Sequence, residues 1–154
     1  MQGRNEEGYL MDGKIIKGKE SEKLKWLGIG IETGKGLFLN NYELKYCKEK
    51  GTLKSEIKLS KKEEKIYSLY KFLRERGYIP RLSEKREDIF RVYQKGFRPG
   101  EDRTKYLLLI KEEWPSEKEI EELLELGRNM RKETVVALVG NRITFLKISR
   151  TVFE

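Results

Sequence analysis

Residues 104–149 read TKYLLLIKEEWPSEKEIEELLELGRNMRKETVVALVGNRITFLKIS, and this stretch decides the fold. TKYLLLIK is a continuous apolar run, the pattern of a central strand buried on both faces. Ser116 with Glu119 three residues later makes a capping box. A helix therefore opens there, with Ile120, Leu123, Leu124 and Met130 on its apolar side. TVVALV is a second wholly apolar strand, Gly140-Asn141 marks a tight turn, and RITFLKIS alternates as a last strand.

Working back from this run, YIPRL and DIFRVYQ read as strands with alternating sides, and FRPGED is a turn-rich loop around Pro99 and Gly100. Before them, Ser60 and Glu63 form another capping box. The helix it opens carries Ile66, Leu69, Tyr70 and Leu73 on one face and ends at Gly77. A helix, three strands, a helix and two strands make an α/β domain over residues 59–154, a mixed sheet flanked by helices.

Residues 1–58 form a smaller α+β domain. Between Tyr9 and Leu39, short strands broken by glycine (GYLMDGKIIKG, then KLKWLGIGIETGKG) suggest an antiparallel sheet, with LKWLGIGI as the alternating run. The glycine pairs Gly28/Gly30 and Gly34/Gly36 lack the spacing of a phosphate loop and point to hairpin turns. Asn40 and Asn41 cap a helix of about ten residues, YELKYCKEKG, that Gly51 closes. Leu44 and Cys47 repeat there at helical spacing, which makes Cys47 a core residue. TLKSEIKL is a connecting strand or linker, and the domain boundary falls near residues 52–60.

Composition excludes several classes of chemistry. The 154 residues contain no histidine and one cysteine. A Ser-His-Asp or Cys-His relay, an imidazole-based ribonuclease site, a disulfide framework and a cysteine zinc site are therefore all ruled out. No apolar stretch nears the ~20 residues of a spanning helix, and the polar N-terminus lacks a signal h-region. The expected location is the cytoplasm, with no membrane association. Lys and Arg number 34 against 26 Asp and Glu, a net charge of +8. That excess fits either a nucleic-acid-binding face or the Lys/Glu-rich surface of a thermophile protein.

A metal-dependent nuclease would place an (Asp/Glu)-x-Lys on the central strand. The strand offers Leu109-Ile110-Lys111, and an apolar side chain cannot ligate magnesium. Glu101 and Asp102, adjacent in a loop, read as solvated charges. RVYQKGFRPGEDR interleaves aromatic and basic residues. Arg91, Lys95, Arg98 and Arg103 could contact RNA phosphates there, with Tyr93 or Phe97 as stacking surfaces. Alternatively Tyr93 and Phe90 pack within a sheet and the cations are solvated; spacing alone favours this second reading.

The block from Tyr67 onward resembles the C-terminal domain of archaeal tRNA-intron splicing endonucleases. YKFLRERGYI, FRVYQKG, YLLLI and RNMRKETVVALV occur in that family's order, and LFLNNYELKY resembles its small N-terminal domain. The resemblance implies a restriction-endonuclease-like fold and a metal-free, cofactor-free cleavage of precursor tRNA at a bulge-helix-bulge. The 2′-hydroxyl attacks, leaving a 2′,3′-cyclic phosphate and a 5′-hydroxyl, with a Tyr, a His and a Lys as catalytic groups. The Tyr falls on Tyr93 and the Lys on Lys132. The position of the His, ten residues after the Tyr, is Arg103. A guanidinium exchanges no proton in the working range. Glu125, seven before the Lys, stands where the family often has a basic residue.

The resemblance therefore implies a non-catalytic, structural and RNA-positioning subunit, joined with a catalytic subunit in a dimer of heterodimers. The tail FLKISRTVF offers a strand edge, with Phe145, Leu146, Ile148, Val152 and Phe153 as interface residues. The loop before the last strand, Val139-Gly140-Asn141-Arg142, lacks the acid that such subunits often insert into their partner. Two alternatives stand beside this reading: an active endonuclease in which Tyr93, Arg103 and Lys132 work by an altered mechanism, and a plain RNA-binding module.

Overall fold

The computed structural model describes residues 2–4, 10–54, 56–83, 85–96 and 104–153. Its contacts divide the chain into two units, Met1–Lys71 and Phe72–Glu154.

In the first unit β1 (Gln2–Arg4), β2 (Leu10–Ile16), β3 (Ile31–Thr33) and β4 (Gly36–Asn40) form an antiparallel sheet of order β1-β2-β4-β3. Helix α1 (Lys19–Trp26) lies where the sequence suggested the start of a strand. The correction has a local cause. KESEKLKW consists almost wholly of residues that lose little rotamer freedom in a helix, and it contains none that is β-branched. Leu24 is its one buried side chain, so the alternation in LKWLGIGI reflects no sheet face. Of the glycine pairs, Gly34 and Gly36 belong to the β3–β4 hairpin as expected. Gly28 and Gly30 instead lead out of α1, whose end is closed by the bond from the Gly28 N–H to the Lys25 carbonyl.

Helix α2 (Asn41–Glu49) opens with a complete capping box: Asn40 Oδ1 accepts from the Glu43 N–H and Glu43 Oε1 from the Asn40 N–H, each at 3.0 Å. The buried Glu43 carboxylate also accepts from the Gly30 N–H at 2.6 Å, tying the helix start to the turn before β3. Leu24, Ile29, Leu37, Leu39, Leu44, Cys47 and Leu53 make the core of this unit, with Cys47 as the small apolar residue its spacing required. The described residues of 52–59 contribute Leu53 and Ile57 to that core without regular structure.

The division between units falls inside α3 (Lys61–Glu75). Its start carries the expected box of Ser60 and Glu63. Tyr67 and Tyr70 stack at 6.4 Å, Tyr46 meets Tyr70 edge-on, and Lys45 pairs with Glu64 at 2.8 Å. These contacts draw the first turns of the helix into unit 1, whereas the sequence set the boundary before the helix. Gly77, at φ +89°, ends α3: the Tyr78 N–H reaches the Leu73 carbonyl and the Gly77 N–H that of Arg74.

The second unit holds β5 (Ile79–Leu82), β6 (Ile89–Tyr93), β7 (Tyr106–Lys111), α4 (Glu117–Met130), β8 (Glu133–Val139) and β9 (Ile143–Ile148). The sheet runs β5-β6-β7-β8-β9, and β7/β8 is its one parallel pair among them. The strand β7, buried over its apolar Leu107–Ile110 run, is the middle strand, as that run demands. Helix α4 makes the crossover and covers one face, closing a core of Ile89, Leu107, Leu109, Leu123 and Val136. Each such side chain contributes roughly 1.5–3 kcal/mol by leaving water. Met130, expected on the apolar side of α4, is exposed instead, at the last turn. Among the described residues no helix is long and apolar enough to cross a membrane.

Candidate functional site

Strand register brings Tyr93 and Lys132, both singled out in the sequence, to one end of β6, β7 and β8. The β6–β7 ladder ends at Val92↔Tyr106, and the Lys105 N–H continues it to the Val92 carbonyl at 2.8 Å. The parallel β7–β8 ladder begins at Tyr106↔Glu133, where the Glu133 N–H bonds the Lys105 carbonyl at 3.0 Å. One step beyond, Tyr93 ends β6, Lys105 immediately precedes β7 and Lys132 immediately precedes β8, with neighbouring strands about 4.8 Å apart.

Lys132 is held there by the way α4 ends. The Lys132 N–H returns to the Gly127 carbonyl at 2.9 Å and the Arg131 N–H to that of Arg128 at 3.2 Å. Arg131 takes the left-handed conformation, φ 56° and ψ 49°, that glycine normally supplies at a helix end. That costs a side-chain-bearing residue about 1–2 kcal/mol. Gly127 packs against β8 so closely that a Cβ would run into Thr134 Cγ2 and lie 3.0 Å from the Lys132 carbonyl oxygen. Thr134 is fixed by donating to the Ile148 carbonyl at 2.6 Å. The result is a half-buried Lys132 whose ammonium donates to the Thr104 carbonyl at 2.6 Å. Thr104 directly follows Arg103 in the chain, so Lys132 reaches the end of the β6–β7 loop.

Tyr93 and Arg91 are half-buried on β6, and Lys95 is exposed with its methylene stem against Gly77. Phe97, Arg98, Glu101, Asp102 and Arg103 lie outside the described residues, as does the turn around Pro99 and Gly100. Leu109 is in the core, and Lys111 donates to Glu119 at 2.6 Å, so the β7 position of a nuclease carboxylate is filled by packing.

Lys132 also opens into a groove of about 660 Å³ between α4 and the chain after β9. Ion pairs line it: Glu125 with Arg128 at 2.6 Å, Glu133 with Lys147 at 2.7 Å, and Glu121 with Arg150. The hydrogen bond from Lys147 holds the Glu133 carboxyl below its ordinary range, and Glu133 in turn raises Lys147. The cations of this groove are thus largely matched by acids.

The expected interface residues divide by face. Leu146 and Ile148 pack against the α4 core. Phe145, on the opposite face, meets Phe72 with ring centroids 5.6 Å apart. Val152 and Phe153 are exposed, at 79% and 95%.

Residues 64–145 match the family profile described as tRNA intron endonuclease, catalytic C-terminal domain. The tRNA-splicing endonuclease of Pyrococcus furiosus is 32% identical over 145 residues, covering 82% of this chain and 83% of its own. The chain belongs to the tRNA intron endonuclease family. The tRNA-splicing endonuclease of Methanopyrus kandleri is 28% identical over 148 residues, 84% of this chain and 82% of its own. That of Hyperthermus butylicus is 35% identical over 85 residues, 54% and 46% of the two chains. The match to the tRNA intron endonuclease domain spans Tyr93, Arg103 and Lys132 and ends within β9.

Three residues of this site escaped the sequence reading. Gly127 had a signal, a glycine inside a helical pattern, which costs about 1 kcal/mol unless a neighbour needs the space. Lys105 and Arg131 had none, because only the register and the helix end give them their places.

Proposed function

We propose that this chain is the structural and RNA-positioning subunit of a heteromeric tRNA-splicing endonuclease that acts on bulge-helix-bulge precursor tRNA. The observation that carries the reading is the arginine at position 103 in a chain without any histidine. Cleavage by the 2′-hydroxyl needs a group that accepts its proton and another that protonates the departing 5′-oxygen. Arg103 serves as neither, since its guanidinium stays charged throughout the working range. Tyr93 and Lys132 remain at the end of the sheet; the Lys132 ammonium donates to the Thr104 carbonyl, and in this reading it holds a phosphate beside the β6–β7 loop. A catalytic partner that keeps the histidine supplies the proton transfer, and the β9 edge with its exposed tail offers that partner a surface.

The test mixes the purified chain with a homologue that retains the histidine and follows cleavage of a bulged precursor. Cleavage by the mixture alone is expected. Efficient cleavage by this chain unaided, lost in Lys132→Ala, would favour the second reading that the retained Tyr93 and Lys132 allow, an endonuclease with an altered set of catalytic groups.

A further inference from the structure

The connector between α2 and α3 gathers cations that the fold does not pair. From Glu43 to Lys65 the chain carries eight lysines and five glutamates. Four of the five acids are committed. Glu43 caps α2 and accepts from the Gly30 N–H, and Glu49 accepts from the Tyr67 hydroxyl and pairs with Lys71 at 3.3 Å. Glu63 accepts from the Ser60 N–H at 3.0 Å, and Glu64 pairs with Lys45 at 2.8 Å. The side chains of Lys54, Lys58, Lys61 and Lys62 are all exposed, and among the described residues none of the four has an ion-pair or hydrogen-bond partner.

The course of the connector keeps these lysines outward. Leu53 is buried and Ile57 packs against the core of the first unit, whereas Lys54, Glu56 and Lys58 are exposed. The Thr52 N–H ties one end of the segment to the Cys47 carbonyl at 2.9 Å, and the box of Ser60 and Glu63 ties the other. Lys54 and Lys58 stand at most about 14 Å apart along the chain. Lys61 and Lys62 continue the strip into the first turn of α3. A thermophile surface organises its lysines and glutamates into ion-pair networks. This strip does not: its neighbouring acids serve caps, a tyrosine and other lysines, and Glu56 is the one acid exposed within it.

We propose that Lys54, Lys58, Lys61 and Lys62 form a rail for the phosphodiester backbone of an RNA helix. Each ammonium is a point charge on a flexible stem, so it neutralises a phosphate without reading a base. Glu56, standing between Lys54 and Lys58 in the chain, weakens the rail. The rail rests on the RNA-positioning function proposed above and extends it to the small N-terminal unit.

The experiment measures binding of a fluorescein-labelled bulge-helix-bulge RNA to the full chain by anisotropy between 50 and 200 mM salt. The variant Lys54→Gln/Lys58→Gln/Lys61→Gln/Lys62→Gln is expected to bind at least about tenfold more weakly at 50 mM salt and to lower the salt slope by about three. Glu56→Gln is expected to bind about twofold to fivefold more tightly, a gain that a misfolded chain cannot produce. Thermal melts accompany the titrations; should the lysine variant fail to fold, Glu56→Gln decides, and unchanged affinity there overturns the rail. Unchanged affinity and slope in a folded lysine variant, with binding lost in Lys132→Gln, overturns the rail and leaves the RNA-positioning function standing. A lysine variant that keeps its RNA affinity but no longer associates with a histidine-bearing homologue also overturns it, and makes the strip a protein surface. A wild-type chain that holds no RNA alone or with its partner overturns both.

Discussion

Gly127 shows how much a single missing side chain decides. Alanine in a helix interior is ordinarily about 1 kcal/mol better than glycine. Here the added Cβ meets Thr134, whose hydroxyl is committed to the Ile148 carbonyl, and comes within 3.0 Å of the Lys132 carbonyl oxygen. Neither neighbour has slack, so overpacking outweighs propensity. Gly127→Ala is therefore expected to destabilise by about 1–3 kcal/mol in urea unfolding. A gain in stability would show that α4 and β8 stand further apart than described. At this scale the sequence was half legible. Cys47 could be placed in the core from its spacing. The close approach at Gly127 and the left-handed Arg131 could not, because each depends on a strand that pairs alongside and not on the residues next to it.

Helix starts were the most legible elements, because a capping box is written in four consecutive residues. Asn40/Glu43, Ser60/Glu63 and Ser116/Glu119 all form as their sequences direct. Helix α1 was misread for the converse reason: with one buried side chain, it has little apolar periodicity of any kind to display. The cap of α4 has a pH consequence. Hydrogen bonding from Lys111, then from the Ser116 N–H, lowers the Glu119 carboxyl from its ordinary 4.5 to about 2. A folded-state value below the unfolded one favours the ionised fold, so this stabilisation is full above about pH 4.5 and fades as pH falls toward 2. Tyr67 acts on Glu49 and Lys147 on Glu133 in the same direction. In acid unfolding followed by circular dichroism, Glu119→Gln is expected to lower stability at neutral pH and to flatten the limb between about pH 4.5 and 2. Superimposable acid limbs for the two proteins would contradict the assigned ion pair.

For the whole molecule, the order of elements in the second unit was legible from period alone: an apolar β7 in the middle, a capped helix, an apolar β8 beside it and an alternating β9 at the edge. Which side each β9 residue serves was not, since alternation marks two faces without saying which of them the chain covers itself. Leu146 and Ile148 turn out to belong to the α4 core, and Phe145 to the contact with Phe72. This leaves Val152 and Phe153 as the exposed apolar residues beyond the edge strand. In the assembly proposed above, an aromatic left almost wholly in water beside the edge strand serves as a surface for the partner chain. If that chain is the histidine-bearing subunit, Val152→Asp with Phe153→Asp is expected to leave thermal stability within about 0.5 kcal/mol of wild type, because nothing buried is lost. Association, read by sedimentation velocity, should weaken by about 2 kcal/mol or more, roughly thirtyfold, the loss typical of a central aromatic anchor. Equal affinity in the double variant would move the partner's docking site away from the tail and leave the β9 edge without its part in assembly.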